Sequence, residues 1–259
     1  MILKAILIFA LLFLFMMMGA PMAIALGAST VITLVTTIAT ACFSGLDSFP
    51  LLAVPFFILA GNLMKFGGLS NKILEFADAL VGHIKGSLGM VAVVASMFFA
   101  ALSGSSPATV SAIGSLTIPK MEEEGYDRAY ATALNAAAGT IGVIIPPSIP
   151  FVIYGVVANC SIADMFKAGI LPGILIGVVL MIVNYIAVTK NGYGMKNHAA
   201  KHFSLRKLWK TLKETWLALM VPVIILGGIY AGIFTPTESA VVGIVYTLIV
   251  GVFVYKELT

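Results

Sequence analysis

GTIGVIIPPSIPFVIYG, residues 139–155, lies inside a stretch with no charge from Ala129 to Ala163, yet it carries Pro146, Pro147 and Pro150. An α-helical N–H at position i bonds the carbonyl at i−4, so these prolines remove the donors for Gly142, Val143 and Pro146. Proline also disfavours helical backbone in the residue before it, so Ile145, Pro146 and Ile149 are expected to be extended. One proline fits a kink that neighbouring helices repair. Three within five residues, just after Gly139 and Gly142, predict a true break. Such backbone survives in lipid only where protein buries it or it lines a wet cavity, because unpaired peptide groups cost several kcal/mol there.

The rest of the chain establishes that this is a membrane setting. Of 259 residues, 60% are hydrophobic and 10% charged, and the mean hydropathy is +1.08. That excludes an ordinary soluble domain. Apolar segments fall at about 1–18, 21–43, 50–66, 86–119, 129–158, 166–189, 216–234 and 237–255, most of them long enough for a spanning helix, and no alternating strands suggest a barrel. The fold class is therefore an all-α polytopic membrane protein. The N-terminal segment carries Lys4 and runs straight into a second apolar stretch, which reads as a retained first span rather than a cleaved leader. Cys42 and Cys160 have no metal-ligand spacing.

The net charge of +4 does not point to nucleic acid, because basic residues cluster between Lys190 and Lys213, beside apolar segments and membrane lipid. By the positive-inside rule that loop faces the cytoplasm. Counting outward, both Lys85 and Lys120 fall on the cytoplasmic side, although 34 apolar residues separate them. One straight helix of that length would be about 51 Å long, against a hydrocarbon core of about 30 Å. The segment is therefore expected to fold in half as a re-entrant helical hairpin. The turn should fall in LSGSSPAT (102–109), with Gly104 in the turn, Ser105 or Ser106 as N-cap and Pro107 at a first helical position.

Two further features are structural. Leu205, Leu208, Trp209, Leu212 and Trp216 recur at helical spacing opposite Arg206, Lys207, Lys210 and Lys213, which predicts an interfacial helix at about 203–215. Thr235, Pro236 and Glu238 predict a capping box at a helix start.

Two interrupted segments in one chain point to a transporter site, where freed carbonyls and half-helix C-termini hold a cation and half-helix N-termini face an anion. No Asp, Glu, Lys, Arg or His lies centrally in either segment, so coupling through neutral oxygens to Na⁺ is expected rather than a proton relay. A membrane hydrolase is disfavoured, since Ser103, Ser105 and Ser106 have no base at similar depth and His83, His198 and His202 fall in loops.

GLDSFPLLAVPFFILAGNLM, ALSGSSPATVSAIGSLTIPKMEEEGYDRAYA, GTIGVIIPPSIPFVIYG and GIFTPTESA together resemble the large membrane subunit of the tripartite ATP-independent periplasmic (TRAP) transporters. The resemblance implies a Na⁺-coupled, elevator-type permease for organic anions such as C4-dicarboxylates or sugar acids. It also implies two partners, a small membrane subunit and a periplasmic substrate-binding protein. Carried over, a Na⁺ site would draw on Ser103 and Ser106 from the hairpin and on carbonyls of Gly142, Val143, Ile145 and Pro147 from the break. Ser105, Asn135, Thr140 and Ser148 would face the substrate.

The family has two inverted repeats, and this chain covers about the first plus two spans. This implies a truncated product, or one piece of a split permease whose C-terminal half is a separate chain. The expected organisation is scaffold-like helices at 1–84, a transport-type hairpin and broken helix at 85–165, and scaffold-like helices at 166–259. The competing functions are a single-component anion:Na⁺ symporter, which needs no binding protein, and a non-transporting scaffold subunit.

Overall fold

The computed structural model describes residues 2–193 and 203–257; Lys196, His198, Lys201 and His202 of the basic loop lie outside the described residues. All regular elements among the described residues are helical. Among the described residues, five helical segments are long and apolar enough to cross a membrane: Met22–Leu46, Phe49–Phe66, Ile162–Asn191, Leu205–Tyr230 and Pro236–Val254. The chain divides into two compact units, Met1–Ser48 and Phe49–Thr259.

In the first unit α1 (Ile2–Met17) packs on α2 (Met22–Leu46), and the connection turns at Gly19 before Pro21. The hydroxyls of Ser29 and Thr33, buried on α2, donate to carbonyls one turn earlier, so these two buried polar groups are paired within the helix.

The second unit has two groups of helices. One comprises α3 (Ala53–Phe66), α4 (Leu69–Val81), α11 (Leu205–Tyr230) and α12 (Pro236–Ile249). α12 opens with the expected capping box: Thr235 accepts from the Glu238 N–H, and the Glu238 carboxylate accepts from the Thr235 N–H at 2.8 Å. α11 differs from expectation. It runs unbroken through the anticipated boundary near 215, because no glycine or proline interrupts residues 205–221 and good helix formers fill them. Its first half lies along α4, fixed by a Lys207–Asp78 ion pair at 2.8 Å and a hydrogen bond from Thr215 Oγ1 to the Lys72 carbonyl.

The other group begins with α5 (Ser87–Ser103). The chain turns at Gly104 and Ser105, then returns through α6 (Ser106–Thr109), a π-helical turn (Val110–Gly114) and α7 (Ser115–Glu123). Leu88 near the start of α5 packs against the apolar cluster that holds Met121 and Tyr126 near the far end, and α5 lies against α7, so residues 86–126 form a helical hairpin. Pro107 occupies the second helical position, behind Ser105 as N-cap and Ser106. α8 (Arg128–Gly139) follows, capped by Asp127, whose carboxylate accepts from the Tyr130 N–H. It tightens into a 3₁₀ turn (Thr140–Val143) and stops; α9 (Ile149–Ala158) starts afresh. Ile145 and Pro146 lie outside helix as expected. Ile149 does not. It is the first residue of α9, and Ser148 before it takes the extended backbone, because a proline in the first helical turn costs no hydrogen bond.

α10 (Ile162–Asn191) closes this group. Gly169, Gly173 and Gly177 recur every four residues on one face. Side chains there would strike the Ile144 carbonyl, Ile145 and Met97, so their absence lets α10 press against both the break and α5. Further along, buried Asn184 donates to the Gly86 carbonyl at 3.2 Å and accepts from Tyr130 Oη at 3.1 Å. Tyr126, Tyr130 and Tyr193 stack beside it. Burial pushes the Tyr126 hydroxyl up to about 12, so Tyr126 is neutral at physiological pH.

Asn184→Leu leaves the Tyr130 hydroxyl and the Gly86 carbonyl without this partner. We expect a loss of about 2 kcal/mol of stability, read as a lowered midpoint in a denaturation titration in detergent micelles; an unshifted midpoint would show that Asn184 does not tie the hairpin base to α10.

Candidate functional site

The hairpin tip and the helix break meet. Gly104 adopts φ +60, and a Cβ there would lie 2.6 Å from the Pro147 carbonyl oxygen and 3.3 Å from the Ile149 nitrogen. Only glycine allows that backbone-to-backbone approach without strain. The Gly104 carbonyl accepts a hydrogen bond from the Ile149 N–H at 3.2 Å. Ile149 opens α9 and has no intrahelical acceptor of its own, so the hairpin satisfies one of that helix's orphan donors.

A second line of contact runs between the 3₁₀ turn and the returning arm. A Cβ on Gly142 would lie 2.6 Å from Thr109 Oγ1 and 2.8 Å from the Ser105 carbonyl oxygen. Gly139, one turn earlier, faces Val110 and the Ser106 carbonyl. From the opposite side α3 comes close through Gly61, where a Cβ would meet Ser103 Cβ at 3.1 Å.

Four helix ends therefore converge. α5 ends at Ser103 and the α8 extension at Val143, presenting C-terminal carbonyls; α6 begins at Ser106 and α9 at Ile149, presenting N-terminal N–H groups. Ser103 Oγ and Thr109 Oγ1 lie 3.1 Å apart, and Thr109 Oγ1 donates to the Ser105 carbonyl at 2.9 Å. Both residues are buried. Helix C-terminal carbonyls and hydroxyls are hard, neutral oxygen ligands, whereas helix N-termini favour an anion.

The sequence-derived candidates divide accordingly. Ser103, Ser105, Ser106, Gly142 and Pro147 come together at the junction. Ser148 is buried beside it, where its hydroxyl donates to the Val143 carbonyl at 2.7 Å and accepts from the Phe151 N–H, so one side chain satisfies a carbonyl expected to lose its helical donor and a first-turn N–H of α9. Ile145 turns toward Gly173 of α10. Asn135 sits lower in α8, with Oδ1 accepting from Thr117 at 2.7 Å and Nδ2 donating to the Ala131 carbonyl. Thr140 is exposed and bonds the Ala137 carbonyl.

Thr109 and Gly61 were missed from sequence. Thr109 had a signal: it lies four residues beyond Ser105, where a threonine hydroxyl reaches the i−4 carbonyl. Gly61 had none beyond being a glycine inside a helix.

A cavity of about 660 Å³ lies elsewhere, between α4 and the hairpin base, with Asn71, Lys72, Glu75, Lys120 and Glu123 among its walls. Charges of both signs line it, and Lys72 is held by Glu75 at 2.8 Å, so it does not select an anion.

Replacing Gly104 with alanine should force the tip away from the break. Amide hydrogen exchange at Ile149 should then speed up by about tenfold or more, corresponding to a loss of about 1.4 kcal/mol of protection; unaltered exchange would mean the two backbones are not held in contact.

Comparison with known proteins identifies the lineage. Residues 4–259 match the family described as tripartite ATP-independent periplasmic transporter, DctM component. The chain is 47% identical over 253 residues to the isethionate TRAP transporter permease protein DctMQ of Oleidesulfovibrio alaskensis, covering 95% of this chain and 39% of that protein. It is 40% identical over 277 residues to the C4-dicarboxylate TRAP transporter large permease protein DctM of Rhodobacter capsulatus, covering 99% and 62%. With the sialic acid TRAP transporter large permease protein SiaM of Vibrio cholerae it shares 47% identity over 215 residues, 83% and 49% of the two chains. The chain thus spans about half the length of these relatives. It belongs to the DctM family, the large permease subunits of TRAP transporters, and is a multi-pass protein of the inner membrane.

Proposed function

We propose that this chain supplies one hairpin and one broken helix to a Na⁺-coupled permease that imports organic anions. The observation that carries this reading is the contact of Gly104 with Pro147 and Ile149, which brings two helix C-termini and two helix N-termini to one place. Its substrates are small organic acids, in keeping with relatives named for isethionate, C4-dicarboxylate and sialic acid. A periplasmic binding protein delivers the substrate and a small membrane subunit completes the assembly, in keeping with the words tripartite and periplasmic in the family's description. The remainder of the permease, corresponding to the uncovered half of the relatives, contributes the other side of the site.

On this reading residues 86–119 are re-entrant. The Na⁺ is held by Ser103, Ser106 and carbonyls from Gly142 to Pro147, with Thr109 setting the orientation of the Ser103 hydroxyl. The N-termini of α6 and α9, at Ser105 and Ser148, favour the negative charge of the substrate. The hairpin, the break and α10 travel together in an elevator movement past α3, α4, α11 and α12. Neutral ligands suit this task, since a fixed buried carboxylate would hold the cation too tightly to release it and would oppose an anionic substrate.

The test is uptake into proteoliposomes holding this chain with its complementary half and small subunit, with binding protein and a C4-dicarboxylate outside. Removing Na⁺ should abolish uptake. Ser103→Ala and Thr109→Val should each raise the Na⁺ concentration for half-maximal uptake by about tenfold, the equivalent of one ligand interaction of about 1.4 kcal/mol. Uptake indifferent to Na⁺, or Na⁺ curves unmoved by both substitutions, would overturn the proposed coupling site.

A further inference from the structure

The first half of α11 presents a face that no described residue of the second unit covers. Leu205, Trp209 and Trp216 are 72%, 61% and 51% exposed, with Leu212 half-buried between them. These positions fall at i, i+4, i+7 and i+11, one stripe of the helix. Arg206, Lys210 and Lys213 flank it, all exposed. Lys213 Nζ lies 5.7 Å from the centre of the Trp209 ring. The only carboxylate on this stretch of helix is Glu214, 4.0 Å from Lys210. Lys207 points the other way, into its ion pair with Asp78, so this half of the helix is anchored to α4 and the stripe has a fixed direction.

The helix continues without a break from this stripe into the apolar run that ends at Tyr230. Trp216 therefore stands at the beginning of the apolar run, with Lys213 and Lys210 one and two turns before it, roughly 5 and 9 Å along the axis. The head-group zone of a bilayer is about 5–8 Å deep on each side. Indole rings are favoured at the boundary, and lysine or arginine stems reach to phosphates while their methylenes stay apolar.

We infer that this face binds anionic phospholipid. Phosphodiester head groups would lie against Lys210 and Lys213, beside Trp209 and Leu212, with Arg206 adding to the field about one turn further out, and acyl chains would meet Trp216. Charge complementarity decides the occupant: each cation near an anionic membrane surface contributes about 1 kcal/mol, and a protein partner would have to supply carboxylates against three cations. The loop that leads into this helix is basic as well, which adds to the field without being needed for the contact. The inference is independent of the transport reading; neither failing would touch the other.

Trp209 and Trp216 are the chain's two tryptophans, so intrinsic fluorescence reports on this face alone. The intact chain is placed in nanodiscs of phosphatidylcholine mixed with phosphatidylglycerol, and one lipid at a time carries brominated acyl chains. At low ionic strength brominated phosphatidylglycerol should quench at least about twofold more strongly than brominated phosphatidylcholine at equal mole fraction, and added salt should erase the difference. The triple substitution Arg206→Gln, Lys210→Gln, Lys213→Gln should equalise the two while both still quench. Equal quenching in the unaltered chain, a preference that survives salt, or a preference that survives the triple substitution overturns the inference. Absence of quenching by either lipid overturns it too, and would assign the face to a protein partner. Where the triple variant does not fold, the salt titration of the unaltered chain decides.

Discussion

The structure depends on one close approach: the backbone of Gly104 against the backbone of Pro147 and Ile149. Neither interruption is viable alone in an apolar setting, because each leaves peptide groups without partners and those groups cost several kcal/mol in lipid. Placed together they answer part of each other's need. The Gly104 carbonyl takes the Ile149 N–H across the junction, and within the break Ser148 gives its hydroxyl to the Val143 carbonyl. A side chain at 104 would hold the two backbones apart.

Packing around the junction follows from the same requirement. Glycines appear wherever backbone must meet backbone or a hydroxyl: Gly61 against Ser103, Gly139 and Gly142 against the returning arm, Gly169 and Gly173 against the break. Each gives up side-chain burial, and larger residues compensate at a distance, with Phe57, Phe99, Phe166 and Ile113 filling the core around the tip. Charge is kept to the periphery, as in the Lys207–Asp78, Lys72–Glu75 and Lys167–Asp164 pairs. Such exposed pairs contribute little stability; they orient helices.

How far the sequence could be read depends on the range of the physics involved. Proline acts on its own residue and the one before it, so the break was legible, as were the hairpin turn at Gly104 and the capping box at Thr235. Ile149 was misread because the same proline is harmless in a first helical turn, and which turn is first depends on where Ser148 caps. The continuity of α11 was missed because an amphipathic pattern ending in an apolar run does not itself specify a break. Gly61 and the α10 glycines act only through what they touch, and those partners lie 40 or more residues away for Gly61 and about 25 to 80 for the α10 glycines. Asn135 and Thr140 look alike in sequence as lone polar residues, and only tertiary structure separates a buried bridge to Thr117 from an exposed hydroxyl.

The hydroxyl pair at the tip shows why a junction built from neutral groups suits a transient ligand. Ser103 and Thr109 lie 3.1 Å apart, and Thr109 also reaches the Ser105 carbonyl. The set is therefore internally satisfied, and no buried charge is stranded in the arrangement. A hydroxyl can rotate its proton toward a neighbouring carbonyl and expose lone pairs at small cost, whereas a carboxylate would require a permanent counter-ion at this depth. On the proposed reading, a cation arriving here replaces weak hydrogen bonds among neutral partners, and the same partners close again when it leaves. The adjacent N-termini of α6 and α9 carry the opposite partial charge. On the same reading, an anion bound near them and a cation bound near the C-termini would stabilise one another at short range.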